Sequence, residues 1–297
     1  MNLFKYLFVF ASFLLNLVIL GSFTLSLLIF LLFSYYGSDL PSSEEIENYQ
    51  PATLSRVYDK DGNVLGVFGK KHRIYTPVHD IPDLIKNAFI SAEDKNFYQH
   101  SGYDPISLLK AITDALRGKK LRGASTITQQ IMKNFLLSSE RTGKRKIKEL
   151  ILASRIEKVL TKDQILNVYL NEIYLGQGSY GVTAAAITYF DKKLEELDIG
   201  EAAFLAALPK APSFYHPIRQ KERSIQRRNF VIRELNENGF VSDANAKKFV
   251  ETDLTTVLGS AYKEKELILN KESSYFTDAI KKSILSKYDE QALKRDG

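Results

Sequence analysis

"HDIPDLIKNAFISAEDKNFYQHSGYD", residues 79–104, sets the fold class. Pro82 sits near the first turn of a helix, where its missing N–H leaves nothing unpaired. From there Ile85, Phe89 and Glu93 recur at i, i+4 and i+8, on one face of a helix over 82–95. Glu93 thus falls on the apolar stripe, and Asp94 is turned about 100° from it. Spacing alone leaves two readings of Glu93 open. A carboxylate turned to an apolar interior is desolvated, which raises its pKa towards that of a useful general base. The other reading is a helix-end glutamate that snorkels to water.

Helical patterning continues on both sides of a turn-rich start. "SRVYDKDGNVLGVF" (55–68) alternates about Asp61-Gly62-Asn63 and reads as a β-hairpin. "GASTITQQIMKNF" (123–135) starts a helix with Ser125 as candidate N-cap. "RKIKELILASRIEKVL" (145–160) and "TKDQILNVYLNEIYL" (161–175) follow, with Thr161 a cap between them. Three more helical stretches are "GVTAAAITYF" (181–190), "DIGEAAFLAALPK" (198–210, stopped by Pro209) and "RSIQRRNFVIRELNENGF" (223–240, stopped by Gly239). The class is mainly α with one small β-hairpin element.

Ahead of this lies an uncharged run from Tyr6 to Ser38. About 20 apolar residues span a bilayer, whereas the apolar core of a cleaved signal is only about 7–15 long. The run therefore reads as a retained transmembrane helix, ending in the interface aromatics Phe33, Tyr35 and Tyr36. Lys5 precedes it and Asp39, Glu44, Glu45 and Glu47 follow, which favours a cytoplasmic N-terminus and a domain on the far side. The expected division is an anchor over 1–38, a linker over 39–54, a catalytic domain over 55–245 and a tail over 246–297.

Composition excludes several chemistries. The 297 residues contain no cysteine, so disulfides and thiolate metal sites are ruled out. The histidines, His72, His79, His100 and His216, show no H-E-x-x-H spacing, and no protein-borne metal site is expected. The net charge of +6 suits either a solubilising surface or attraction to anionic lipid and lipid-linked phosphate. "GQGSYG" (176–181) matches a dinucleotide fingerprint only in letters, because a helical pattern precedes it where a strand is required. The S-x-x-K matches at Ser107–Lys110 and Ser260–Lys263 lack a following K-T-G and read as chance.

Two further constellations carry chemistry. Glu149 aligns with Ala153, Ile156 and Leu160 on an apolar line, amid Arg141, Lys144, Arg145, Lys146 and Lys148. Cations around a carboxylate can hold a diphosphate and stabilise its charge as it leaves; a solvated basic helix start is the equal alternative. In "STITQQIMK" a Ser-capped helix start offers backbone N–H groups to an anion. The adjacent Gln129 and Gln130 are not what helix stability selects, which leans towards polar contacts with substrate.

In order, "AEDKNFYQHSGYD", "GASTITQQIMKN", "RKIKE", "KDQILNVYLNEIYLGQGSYGVTAAAITYF" and "RRNFVIREL" resemble the glycosyltransferase domain of class A penicillin-binding proteins and monofunctional peptidoglycan glycosyltransferases, glycosyltransferase family 51. The resemblance runs from about Ser55 to Phe240. It implies a lysozyme-like helical domain with a smaller, mobile, membrane-dipping lobe over about 104–124. It also implies that Glu93 is the base deprotonating the acceptor sugar's 4-hydroxyl in lipid II. Transfer would invert the donor and release undecaprenyl diphosphate. Glu149 would help to position the donor diphosphate, directly or through a divalent cation (Mg or Mn).

The same resemblance makes Asp94 a supporting group in the cleft, and Ser125, Thr128, Gln129, Gln130, Lys133, Arg141, Arg145 and Lys148 substrate contacts. His100 reads as a turn-stabilising residue. Implied partners are lipid II, the growing lipid-linked glycan, membrane lipid and other cell-wall synthesis proteins, with no nucleic acid. The implied location is the bacterial cytoplasmic membrane, single-pass, with the catalytic domain on the periplasmic side. "SSYFTDAIKKSILSKYDEQALKRDG" (273–297) resembles the lead-in to a transpeptidase domain, so transpeptidase activity is not expected of this chain. A lytic muramidase and a non-catalytic precursor-binding scaffold are the competing classes.

Overall fold

The computed structural model describes residues 2–37, 40, 55–58, 64–68, 72–118, 125–135, 143–258 and 283. Helix α1 (Asn2–Gly37) opens the chain. Its stretch Lys5–Gly37 is long and apolar enough to cross a membrane, and it is not buried in the protein. A helix that is apolar on every side and uncovered along its apolar span, with only its last turn against the domain, suits a lipid environment. Strands β1 (Ser55–Tyr58) and β2 (Val64–Phe68) pair antiparallel, with Ser55 opposite Phe68. This is the expected hairpin pairing; its turn at 61–63 lies outside the described residues.

The domain that carries the site is built from helices. Helix α2 (Asp83–Glu93) starts after Pro82, whose carbonyl accepts the amides of Ile85 and Lys86. Helix α3 (Pro105–Leu116) occupies part of the segment where the smaller lobe is expected. Asp104 caps it, accepting the Ile106 and Ser107 amides at 2.9 and 3.0 Å, and Pro105 takes the first helical position. Ser107 also donates to Asp104 at 2.7 Å, which accounts for the first S-x-x-K match. Residues 259–263, with the second match, are outside the described residues.

Helix α4 (Ile127–Phe135), α5 (Gly143–Ile156) and α6 (Lys162–Glu172) follow. Thr161 caps α6 as the sequence suggests, and Gln164 completes a capping box with it. Short strands β3 (His72–Arg73) and β4 (Ser179–Tyr180) then pair in parallel. Helices α7 (Val182–Phe190), α8 (Ile199–Ala207), α9 (Lys221–Glu237) and α10 (Asp243–Glu251) complete the order. The core continues past residue 245, since Ala246 and Leu254 are buried in it.

Helix α8, written almost wholly in small and apolar residues, is the centre of this core. Ala202 to Leu208 are fully buried, and α2, α7, α9 and α10 pack around them. Alanines let the neighbouring backbones approach closely, while Phe204 stacks edge-on to Tyr189 and Phe190. On the other side, α4 packs on α5 and α6. The C-terminal end of α2 and the N-terminal half of α4 are thereby brought side by side.

Candidate active site

The C-terminus of α2 carries two adjacent acids with different surroundings. Glu93 is nine-tenths buried, and its Oε2 accepts a 2.7 Å hydrogen bond from Gln130 Nε2 of α4. The Tyr169 hydroxyl of α6 reaches Gln130 Oε1 at 3.5 Å, which turns the amide nitrogen towards Glu93. Arg227 of α9 brings Nη2 to 3.8 Å from Glu93 Oε1, and its guanidinium lies 4.5 Å from the Phe230 ring centre. Burial, then the charges of Glu93 and Asp94, push the Tyr169 hydroxyl well above its ordinary range, so it remains a neutral donor. Burial and Arg227 together push Lys210 down, against the opposing pull of Glu93.

Asp94 is more deeply enclosed than Glu93. Both its oxygens lie 3.0 Å from His100 Nε2, and Oδ2 also accepts the Ile127 amide at 2.9 Å. The carboxylate therefore ties the end of α2 to the start of α4, and its oxygens are used within the protein. Ser125 is not the cap of α4, as its position suggested. Thr126 is, accepting the Gln129 amide at 3.2 Å and donating to the Gly102 carbonyl at 2.7 Å. Asp94 and Thr126 thus take the Ile127 and Gln129 amides at this helix start.

The second acid sits across α4. Glu149 of α5 is 1% exposed, with Arg145 Nε 3.0 Å from Oε1 and Lys146 Nζ 3.1 Å from Oε2. Lys146 Nζ also donates to Ser125 Oγ at 2.8 Å and to Gln129 Oε1 at 3.0 Å. An ammonium has three donors, and Lys146 meets three acceptors from three side chains. Gln129 and Gln130, one residue apart on α4, thus serve different acids. Gln130 faces Glu93, and Gln129 faces the Lys146–Glu149 pair.

Of the residues proposed from sequence, Glu93, Gln130, Gln129, Ser125, Arg145 and Glu149 fall in these two adjoining clusters. Thr128 does not: it is fully buried and donates to Glu157 Oε1 at 2.6 Å, beside the Lys162–Glu157 pair. Lys148 is half-buried on α5. The Lys133 side chain and Arg141 lie outside the described residues. Sequence reasoning placed Lys146 only in the cationic surround of Glu149, and did not single out Tyr169, Lys210 or Arg227. The direct pairing of Lys146 with Glu149 follows from i, i+3 spacing, which brings side chains together on a helix. The other three reach Glu93 only through the packing of α6, α8 and α9.

The described residues contain no group of three or more His, Asp or Glu side chains suited to a metal. Mg²⁺ needs open carboxylate and phosphate oxygens, whereas both oxygens of Glu149 already face cationic nitrogens. Among the described residues, these groups do not fit a protein-held divalent cation.

The sequence of the transglycosylase family, as a family model, matches residues 61–236, which include both acids. The chain belongs to the transglycosylase family. It is 42% identical over 269 residues to penicillin-binding protein 1A of Aquifex aeolicus, covering 90% of this chain and 36% of that protein. It is 44% identical over 225 residues to penicillin-binding protein 1A of Rickettsia bellii, covering 74% and 28%. The transglycosylase chain thus spans about a third of the length of these relatives. A crystal structure of penicillin-binding protein 1A from Haemophilus influenzae aligns over 82% of this chain and 26% of that one, at 22% identity and a TM-score of 0.44.

Proposed function

We propose that this chain is a membrane-anchored peptidoglycan glycosyltransferase that polymerises lipid II. The observation that supports this best is the pair of contrasting acids joined by consecutive glutamines. Glu93 is held by a neutral amide, ready to take a proton, while Glu149 organises cations suited to a diphosphate.

In this reading the 4-hydroxyl of the acceptor sugar sits at Glu93. Its oxygen forms the new bond to the anomeric carbon of the donor as the carbon–oxygen bond to the diphosphate breaks. The hydroxyl proton passes to Glu93, and the anomeric carbon inverts. Negative charge grows on the departing undecaprenyl diphosphate, and Lys146 and Arg145 stabilise it. Gln130 and Arg227 keep the Glu93 carboxylate in place, so that the hydroxyl is positioned as well as activated.

The membrane supplies both substrates in this account. Helix α1 anchors the chain with its N-terminus in the cytoplasm and the catalytic domain on the periplasmic side of the bacterial cytoplasmic membrane. Helix α3 exposes Ile106, Leu109 and Leu116, three large apolar side chains that suit contact with lipid. The growing lipid-linked glycan stays at the surface, and other cell-wall synthesis proteins would act on the emerging strand.

The test supplies the full chain, in vesicles, with either lipid II or finished peptidoglycan. Conversion of lipid II into long glycan supports the polymerase. Release of soluble muropeptides from finished peptidoglycan would instead mark a lytic muramidase, and lipid II bound without turnover would mark a scaffold.

A further inference from the structure

The end of the membrane helix is seated on the helix that carries Glu149. Arg155, in the last turn of α5, donates from Nη2 to the Gly37 carbonyl at 2.8 Å and from Nη1 to the Leu40 carbonyl at 3.2 Å. The last carbonyls of a helix have no partner within it, and a cationic side chain there meets both the free acceptors and the negative end of the helix dipole. Arg155 thus caps α1 from a different helix. Leu40 is buried in the domain core and Tyr36 packs against it, so the contact is also apolar. A Cβ on Gly37 would stand 3.1 Å from Arg155 Nη2 and 3.8 Å from Ile151, so a larger residue there crowds the Arg155 guanidinium.

The same helix carries the cationic cluster. Along α5, Glu149 lies six residues and Arg145 ten residues from Arg155, about 9 and 15 Å at 1.5 Å per residue. The headgroup layer of a bilayer leaflet is only about 5–8 Å deep. Seating α1 on Arg155 therefore confines the Lys146–Glu149 cluster to a narrow range of heights above the point where the chain leaves the lipid. A free linker would let the domain sample many heights and tilts.

We infer that Arg155 is a positioning residue: by capping the exit of the membrane helix it fixes the height of the Lys146–Glu149 cluster over the bilayer. This rests on the reading of that cluster as the donor diphosphate site. The substrate's diphosphate is held at the surface by its lipid, so the protein must meet it at one depth. In micelles the lipid tail moves with its detergent and no such depth is imposed. The clamp therefore matters for bilayer-embedded donor and little for dispersed donor.

The chain has no cysteine, so two can be introduced without background. Spin labels at Ser34→Cys on α1 and Lys158→Cys just beyond α5 report the distance across the junction in vesicles. The full chain is compared with Arg155→Ala and with Gly37→Val, which wedges the junction from the α1 side and leaves α5 unchanged. The expected result is a narrow distance distribution that broadens in both variants. Turnover of lipid II in vesicles should fall about 10–100-fold, as misplacement by about 1 Å can cost. Turnover in detergent should stay within about two-fold.

A broad distribution in the parent, or one unmoved by either variant, overturns the clamp. Broadening without loss of turnover in vesicles overturns its positioning role, as does equal loss in vesicles and detergent. If the parent polymerises no lipid II in either medium, the proposed function fails, and the distance measurement still decides whether the clamp exists.

Discussion

Gln129 and Gln130 are consecutive on one helix yet hold different acids: Gln130 donates to Glu93 at 2.7 Å, and Gln129 accepts from Lys146, the partner of Glu149. A step of about 100° per residue turns neighbouring side chains to different faces. Helix α4 is thus the partition between the proton-accepting and charge-stabilising sides of the site. The two glutamines should fail differently. Gln130→Ala removes a hydrogen bond to a charged group, about 1.5–3 kcal/mol, and should lower kcat about 10–100-fold. Gln129→Ala should act mainly on KM for the donor. Steady-state kinetics with lipid II separate the two, and identical effects would reject the partition.

Arg227 stands 3.8 Å from Glu93 and repels Lys210. Arg227→Ala should lower kcat/KM by about ten-fold, the loss of about 1.4 kcal/mol. The pKa of Lys210 is held down first by burial and second by Arg227, so the substitution should raise it part of the way back. NMR titration of labelled lysine reads that shift; a fall or no change would contradict the shared site.

Asp94 is a brace. Asp94→Ala strips His100 and the Ile127 amide of their acceptor and should destabilise the domain by about 2–4 kcal/mol. Asp94→Asn, which keeps an acceptor oxygen, should recover part of this. Thermal unfolding measures both. Wild-type stability combined with a raised KM would show that Asp94 contacts substrate instead.

Asp104 makes acid stability measurable. Burial raises its pKa, but the Ser107 amide and hydroxyl, the Asn96 side chain and the Ile106 amide outweigh it and bring the carboxyl to about 2. A depressed folded-state pKa stabilises fully above the unfolded value near 4, and that contribution is lost as pH falls towards 2. It amounts to about 2 kcal/mol. Melting temperatures of the parent should therefore drop between about pH 4 and 2 more steeply than those of Asp104→Asn. Parallel curves would contradict this.

The helices and the two acids were legible in the sequence because they rest on local rules. Ile85, Phe89 and Glu93 share a stripe, and Thr161 with Gln164 forms a capping box that any fold would honour. Periodicity also separated Glu93 from Asp94, but it placed Asp94 to the side, whereas the structure buries it. What burial alone could not forecast is a long-range partner. The amide of Ile127, 33 residues away, draws Asp94 inward. Arg227 illustrates the same limit, lying 134 positions from Glu93 and reaching it only once α9 packs on α2. The cap of α4 was misplaced by one residue because Ser125 and Thr126 have equal local claims, and Lys146 takes the serine hydroxyl.

The central claim is that Glu93 accepts the acceptor's proton. Its most direct test is glycan synthesis from lipid II by Glu93→Gln, alongside lipid II binding by the same variant. Glutamine preserves the shape and the contact with Gln130 while removing the basic oxygen. The account predicts binding close to that of the parent and loss of polymerisation by at least about 100-fold, the lower scale of general-base catalysis. Polymerisation retained near the parent rate would contradict it.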